Sequence, residues 1–562
     1  MIFKPKNLLI FSLILAVILA GFAAVLLFSR PAPVRVAKKE LPRPGTTMPS
    51  TTPKEIPPPP PRPGLPNIIL FSIDTLRADH LGSYGYSRDT SPNIDAFGKD
   101  AIVFEQALSQ APVTTPSHMS IFTGLAPAVH QMAMEKQADK SRIISSLDPH
   151  IPTFTELLHE SGYVTIGLHG GGMVSSFFGF DRGFDLYSSR LLSFNWARAY
   201  RDATELKPIE TSFDLAREEK RPLFLFLHHY VCHIPYISAP DGMRFRFLEK
   251  KTPGLPIGMD DESREMLFDK LARYSESVQG LLALRRFKAF MGMNFWKNVN
   301  LAQPEHLEHI TALYDSSVLY SDFLFGQVLD ILKRVGAYEN TLIILTSDHG
   351  EELYEHEDKG HWRLFVETLH VPLIIRVPRS MGPASAPARI PTMVRSMDIF
   401  PTVFDLLGLS IGHAVQGRSF KPLLEKSGQG YRPLLVSYAD TLKEMRLIQD
   451  AWVYSDQQTH HIRDWLFDAK ADSREMNNLA SRKRDLVTSF QESFMRIQQE
   501  DEAFRKELIS TGAERPKVVN RPLMERLRAL GYLEDASAED VSKPSTIDQS
   551  VYEQLRALGY VE

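Results

Sequence analysis

The sequence predicts an α/β protein built on a large, mostly parallel sheet covered by helices on both faces. Three observations predict it. Short runs that are apolar at nearly every position recur at Ile68–Ile73, Val164–Leu168, Leu223–Leu227, Thr341–Leu345 and Leu373–Val377, as strands buried on both faces require. Helical patterns separate them, for example Ile151–Glu160 and Ser316–Val335, and strands alternating with helices imply a parallel sheet. Polar, chemistry-bearing residues follow several of the runs, and in such sheets ligands bind beyond the carboxyl ends of strands.

Composition bounds the function. The chain has 562 residues, 43% of them hydrophobic, enough to bury a sizeable core. Its 64 Lys and Arg against 68 Asp and Glu give a formal net charge of −4, which excludes a basic nucleic-acid binder as the default. The single cysteine, Cys232, excludes an intramolecular disulfide framework and any cysteine-rich zinc module.

Taken in order, residues 1–30 predict an N-terminal transmembrane anchor. From Leu8 to Phe28 no charge interrupts the chain, a length that crosses a hydrocarbon layer of roughly 30 Å. A removed signal peptide is the alternative, since Ala20, Ala23 and Ala24 offer a small-residue cleavage site. Lys4 and Lys6 precede the segment while Arg30, Arg35, Lys38 and Lys39 follow it, so the charge count for orientation is mixed. The favoured reading is a single-pass membrane protein with its bulk on the periplasmic or extracellular side. Residues 31–66 hold 13 of the 38 prolines, including the run Pro57–Pro61. They read as an extended spacer rather than a folded unit.

Globular structure begins at Asn67. Asp74 follows the first apolar run. His228, His229 and His233 follow the Leu223 run, and Asp348, His349, His356 and His361 follow the Thr341 run. Carboxylates and imidazoles gathered at strand ends point to a metal or acid–base site. A lone histidine among them is more simply a hydrogen-bonded surface or core residue. Asp348 with His349, after a strand and before Gly350, is the stronger signal.

At these residues the chain resembles the sulfatase family of the alkaline-phosphatase-like superfamily over about residues 67–500. The segments that carry the resemblance occur in the family's order. They are Asn67 to Gly82, Thr90-Ser91-Pro92-Asn93-Ile94-Asp95, Thr114-Thr115-Pro116-Ser117-His118 with Ser120 to Gly124, Gly179-Phe180-Asp181, Thr346 to Glu351, Gly360-His361 through Val371-Pro372, and Asp398-Ile399-Phe400-Pro401-Thr402. Trp465 to Asp468 and Asn478-Leu479 are looser echoes of a small C-terminal α+β subdomain.

The resemblance implies roles residue by residue. Asp74, Asp348 and His349 would ligate one divalent cation, bridged to substrate by Thr114. Calcium is the ion a sulfatase implies, and magnesium, manganese or zinc also suit such ligands. His233 and His361 would meet the bound oxyanion. His118, where the family has arginine, would support the nucleophile's loop or contact the anion. Thr114 stands at the family's nucleophile position, two residues before Pro116. Ser117 matches the position whose hydroxyl shapes the loop, and Thr115 falls on a variable one.

Departures bear on the reaction. Family sulfatases form their formylglycine from cysteine or serine, so none is expected at Thr114. Thr75 replaces a second aspartate, and His169-Gly170-Gly171-Gly172 carries no lysine where the family usually has one. The reading that follows is a membrane-anchored, metal-dependent hydrolase of sulfate or phosphate esters, acting on a glycan or lipid through a threonine nucleophile. Two alternatives remain: a transferase of phospho-substituted groups on envelope lipid or glycan, and a non-catalytic binding protein on the same scaffold.

The domain plan is then a catalytic domain over 67–425 containing a helical insertion at 241–310, a small subdomain over 426–505, and a tail over 506–562. The tail repeats one motif, Leu527-Arg528-Ala529-Leu530-Gly531-Tyr532 and Leu555-Arg556-Ala557-Leu558-Gly559-Tyr560. An apolar, aromatic-bearing turn at an otherwise polar terminus suggests a protein partner for the tail.

Overall fold

The structure, a computed structural model, describes residues 64–189, 203–248 and 295–513, apart from 133, 137–141, 145, 235, 237, 297, 426–430, 432, 440–443, 450 and 460–461; residues 252, 254 and 255 are described as well. No helix among the described residues is long and apolar enough to cross a membrane. The predicted anchor, the spacer up to residue 63, most of the 241–310 insertion and both copies of the tail motif lie outside the described residues.

The main sheet contains nine strands: β1 (Asn67–Ile73), β2 (Ile102–Leu108), β3 (Val164–Leu168), β4 (Leu186–Ser188), β5 (Leu223–His229), β6 (Thr341–Thr346), β7 (His370–Arg376), β8 (Ala388–Ile390) and β9 (Val394–Arg395). Its order is β8-β2-β7-β6-β1-β5-β3-β4, with β9 also on β2. The sheet is mostly parallel: β1 lies parallel to both β5 and β6, and β3 is parallel to β4 and β5. The exception is β7, antiparallel to β6 and β2. Its pattern Val371, Leu373, Ile374, Ile375 is as apolar as its neighbours', so direction was not readable from composition.

Alternate residues of each strand feed two separate cores, as a period of two dictates. Ile69, Phe71, Leu225, Leu227, Ile343 and Leu345 face one way. They meet α1 (Pro92–Lys99) and the long α5 (Pro304–Arg334). Ile68, Leu70, Phe224, Phe226, Leu342 and Ile344 face the other way, against α2 (Thr114–Thr123), α3 (Phe154–Glu160) and α6 (Ile399–Leu407). Between α3 and α5 in the chain, α4 (Lys207–Glu218) leads into β5. The start of α3 is fixed by a capping box between Thr153 and Glu156. The helix read as Ser316–Val335 begins earlier, at Pro304, because proline is well suited to a first helical turn.

A second, four-stranded antiparallel sheet follows: β10 (Leu435–Ala439), β11 (Glu444–Gln449), β12 (Trp452–Thr459) and β13 (Ile462–Asp468). Val436, Leu447, Tyr454 and Leu466 on one face bury against Val487, Phe490, Phe494 and Ile497 of α7 (Arg484–Thr511). Residues 506–511, read as the start of the tail, continue this helix. Leu508 joins the core of the main sheet.

Candidate functional site

The carboxyl ends of β1, β5 and β6 meet at one point because these strands are adjacent and in register: Ser72 pairs with His228 on one side and Thr346 on the other. Asp74 follows β1 directly, and its backbone N–H donates to the His229 carbonyl at 3.0 Å. Thr75 adopts a left-handed φ of +58°, which costs a β-branched residue roughly 1–3 kcal/mol. Three contacts hold it there. Its N–H donates to Asp348 Oδ1 (3.3 Å), its carbonyl accepts from Tyr314 Oη (2.7 Å), and that Oη accepts the Arg77 N–H (2.9 Å).

The Thr346-Ser347-Asp348-His349-Gly350 turn is locked from several sides. Asp348 Oδ1 accepts the N–H of His349 at 2.9 Å, and Gly350 donates to the Thr368 carbonyl at 2.8 Å. A Cβ on Gly350 would lie 2.0 Å from the Glu367 carbonyl oxygen, so only glycine fits. Beneath the turn, the buried Arg77 guanidinium donates to the Glu351 carbonyl and to the carboxylates of Asp79 and Glu355.

Asp74, Asp348 and His349 are fully buried, and one ligand atom of each lies within 4.8 Å of the others. Asp348 Oδ2 accepts no hydrogen bond. Burial and then the Asp74 carboxylate push Asp348 up to about 7. Two buried carboxylates this close are unstable without a cation between them. The donor set, oxygen-rich with one imidazole, therefore fits a divalent cation, and the His349 ring is turned for it. Its Nδ1 donates to the Gly350 carbonyl (2.9 Å), which leaves Nε2 as the free lone pair.

Thr114 opens α2, after β2. Its Oγ1 lies 3.2 Å from Asp74 Oδ2 and 3.4 Å from His349 Nε2. The neighbouring hydroxyls are committed elsewhere: Thr115 donates to the Met173 carbonyl at 2.7 Å, and Ser117 to the Asp348 carbonyl at 2.6 Å. His118 is buried underneath. Its Nδ1 donates to the Thr114 carbonyl (3.1 Å) and lies 3.5 Å from Asp348 Oδ2, while its Nε2 meets Ser72 Oγ at 2.9 Å. Of the two roles the sequence left open to it, this is the supporting one. Burial pushes its pKa down to about 3.

His361 lies over His349, with ring centroids 4.4 Å apart, and His233 meets His361 edge-on at 5.3 Å. Each donates its Nδ1–H to a carbonyl, His361 to Pro112 (3.0 Å) and His233 to Ile234 (2.8 Å). The basic Nε2 of each remains for a proton. Burial lowers His361 to about 3 and His349 to about 4. Thus all seven of the residues assigned roles, Asp74, Thr114, His118, His233, Asp348, His349 and His361, lie in or directly around one site. His356 does not join it; it pairs with Glu367. Sequence reasoning gave no role to Ser72, Arg77, Tyr314 or His228. Ser72 and His228 carry a signal, since each sits at the carboxyl end of a buried strand, whereas Arg77 and Tyr314 are tied to the site only by tertiary contact.

The family model for sulfatases matches residues 66–409, and that for the C-terminal region of N-sulphoglucosamine sulphohydrolase matches residues 355–500. An N-acetylglucosamine-6-O-sulfatase of Bacteroides thetaiotaomicron is 22% identical, over 80% of this chain and 90% of its own length. The iduronate 2-sulfatase of Mus musculus is 26% identical, over 65% of this chain and 72% of its own. Among solved structures, the phosphonate monoester hydrolase of Agrobacterium radiobacter shares the fold with a TM-score of 0.57 at 20% identity, over 78% of this chain and 96% of that one.

Proposed function

The chain belongs to the sulfatase family and is a sulfatase-like ester hydrolase, and we propose that it cleaves sulfate or phosphate esters with Thr114 as nucleophile, beside a divalent cation held by Asp74, Asp348 and His349. One observation carries this reading. Of the three hydroxyls at the start of α2, only Thr114's faces Asp74 and His349. Cys232 offers no alternative nucleophile: it is buried against Ser321, and burial pushes its thiol up to about 12.

Bound at the carboxylates, the cation would polarise the ester and favour the ionised hydroxyl. The chain's own residues do the rest. The Thr114 proton passes to an imidazole Nε2, of His361 or His233, as Oγ1 bonds to sulfur or phosphorus. The bond to the leaving oxygen breaks, and the imidazolium returns the proton to that oxygen. A water molecule then gives a proton to the same imidazole and displaces the group from Thr114, which recovers its hydrogen. Backbone N–H groups at the start of α2 face the developing anion.

The names of two relatives, acting on N-acetylglucosamine and iduronate sulfates, make sulfated sugars the first substrates to screen. The anchor at residues 1–30 is part of the same proposal and places the enzyme at a membrane, facing the periplasm or exterior; release of the full-length chain by alkaline carbonate would refute it. For the nucleophile, quenching turnover of a slow substrate and mapping the modified peptide should find the sulfuryl or phosphoryl group on Thr114. Finding it on Ser117 would move the assignment.

A further inference from the structure

The glycine run His169-Gly170-Gly171-Gly172 follows β3, beside the end of β5, because Leu168 pairs with Leu227. Side chains are excluded here. A Cβ on Gly170 would lie 2.5 Å from the Tyr230 ring and 3.5 Å from His228 Nδ1, and one on Gly172 would lie 3.3 Å from Tyr230 Oη. Tyr230 is fastened in that space: its hydroxyl donates to the Gly171 carbonyl (2.9 Å) and accepts the Met173 N–H (3.1 Å). The wall of the site that this run would otherwise furnish is thus furnished from β5.

His228 is the polar group on that wall. It is fully buried, and Tyr230 and His118 stand edge-on to its ring, at centroid distances of 4.6 and 4.9 Å. Its Nδ1 accepts the Gly170 N–H at 3.4 Å, which assigns the hydrogen of a neutral ring to Nε2. That is the tautomer opposite to His349, His361 and His233, whose Nδ1–H groups donate to carbonyls. His228 Nε2 lies 3.7 Å from Asp74 Oδ2, the oxygen that Thr114 Oγ1 also approaches.

We propose that His228 is a further substrate-contacting residue, a neutral N–H donor to an oxygen of the group transferred to Thr114. The inference rests on the ester-hydrolase reading above. Three imidazoles of the site then present lone pairs for the cation and for protons, while His228 presents a hydrogen to the anion. A hydrogen bond to a charged group in a buried site is worth roughly ten- to a hundredfold in binding.

The test uses the full-length, metal-loaded protein and two near-isosteric variants. His228→Asn keeps an acceptor for the Gly170 N–H and loses the distal donor; His228→Gln keeps a donor at the reach of Nε2. We expect His228→Asn to weaken binding of inorganic sulfate and phosphate, read by calorimetry, by at least about tenfold. kcat/KM should fall by roughly one hundredfold or more, with metal content by elemental analysis unchanged, and His228→Gln should recover much of both. Unchanged anion affinity in His228→Asn overturns the proposal. So does a parallel loss of metal, which would make His228 a support for Asp74. A wild-type protein that binds neither anion and turns over no ester would overturn the hydrolase reading and this inference together.

Discussion

Two sides of one site are built on different principles. The carboxylate side, Asp74 and Asp348 with His349, concentrates negative charge where water does not reach. The β5 side, His228 and Tyr230 against the glycine run, is neutral, and complementary volume holds it together. The first is unstable by itself and calls for a cation; the second is satisfied by packing and hydrogen bonds. The difference teaches that a buried charge cluster announces a ligand, whereas a shaped wall announces only the geometry in which that ligand sits.

The largest expected effect breaks the charged side. Asp348→Asn or His349→Ala removes one of three converging ligands, and both metal binding and turnover should be abolished. Full metal occupancy in either variant, by elemental analysis, would refute the assignment. Wild-type protein stripped by a chelator should also melt at a lower temperature, since a ligand bound only to the folded state stabilises it.

The next effect separates the hydroxyls that share the start of α2. Thr114→Ala should lower kcat by at least roughly two to three orders of magnitude, with the metal retained. Ser117→Ala should act differently, because its hydroxyl supports the Asp348 carbonyl: it should loosen the metal. Full activity in Thr114→Ala would reopen the mechanism.

The charged side was legible in the sequence because each residue follows an apolar run that ends where the sheet ends. Asp74 and Asp348 needed only strand recognition and the rule that ligands bind at carboxyl ends. The neutral side was not legible. Gly170 and Tyr230 are 60 residues apart in the chain, and their fit depends on β3 lying beside β5. β2 escaped notice for a local reason. Glu105 and Gln106 interrupt its apolar pattern near the sheet's edge, where Gln106 is exposed and Glu105 pairs with Arg389. The reversed direction of β7 is topological, and no residue in it signals direction.

A third, smaller effect concerns what holds His361. The segment just after it is gripped by the second sheet: Arg446 donates to the Leu364 carbonyl at 2.9 Å and pairs with Glu475 at 2.5 Å, both side chains buried. Glu475 also accepts the Val366 N–H at 3.3 Å, and Gln457 accepts that of Leu364 at 2.8 Å. Arg446→Met strands the Glu475 carboxylate, which should cost about 3–5 kcal/mol in chemical denaturation. If the second sheet positions His361, kcat should fall as well, while metal content holds. An unchanged kcat would confine the pair to a purely structural role.

The smallest effect contrasts imidazoles. Burial lowers His118 and His361 to about 3, so both are neutral when folded near neutral pH. The unfolded chain takes up protons there below about 6.5, and folding stability therefore falls as pH drops through that range. His356 has the opposite sign. Burial opposes its charge, but the hydrogen bond and charge of Glu367, 3.2 Å away, outweigh burial and raise it above the ordinary 6.5. A raised folded value contributes stability that is fully present below the unfolded value and is lost as pH rises through the folded one. His356→Gln should therefore destabilise the protein more at about pH 6 than at about pH 9. A widening of the melting-temperature gap by about 1 °C on going to the lower pH is the expected scale. Stacking of His356 on Phe365, at 3.7 Å, is independent of charge; a gap that stays constant with pH would assign the residue's contribution to that contact and remove the ion pair from the account.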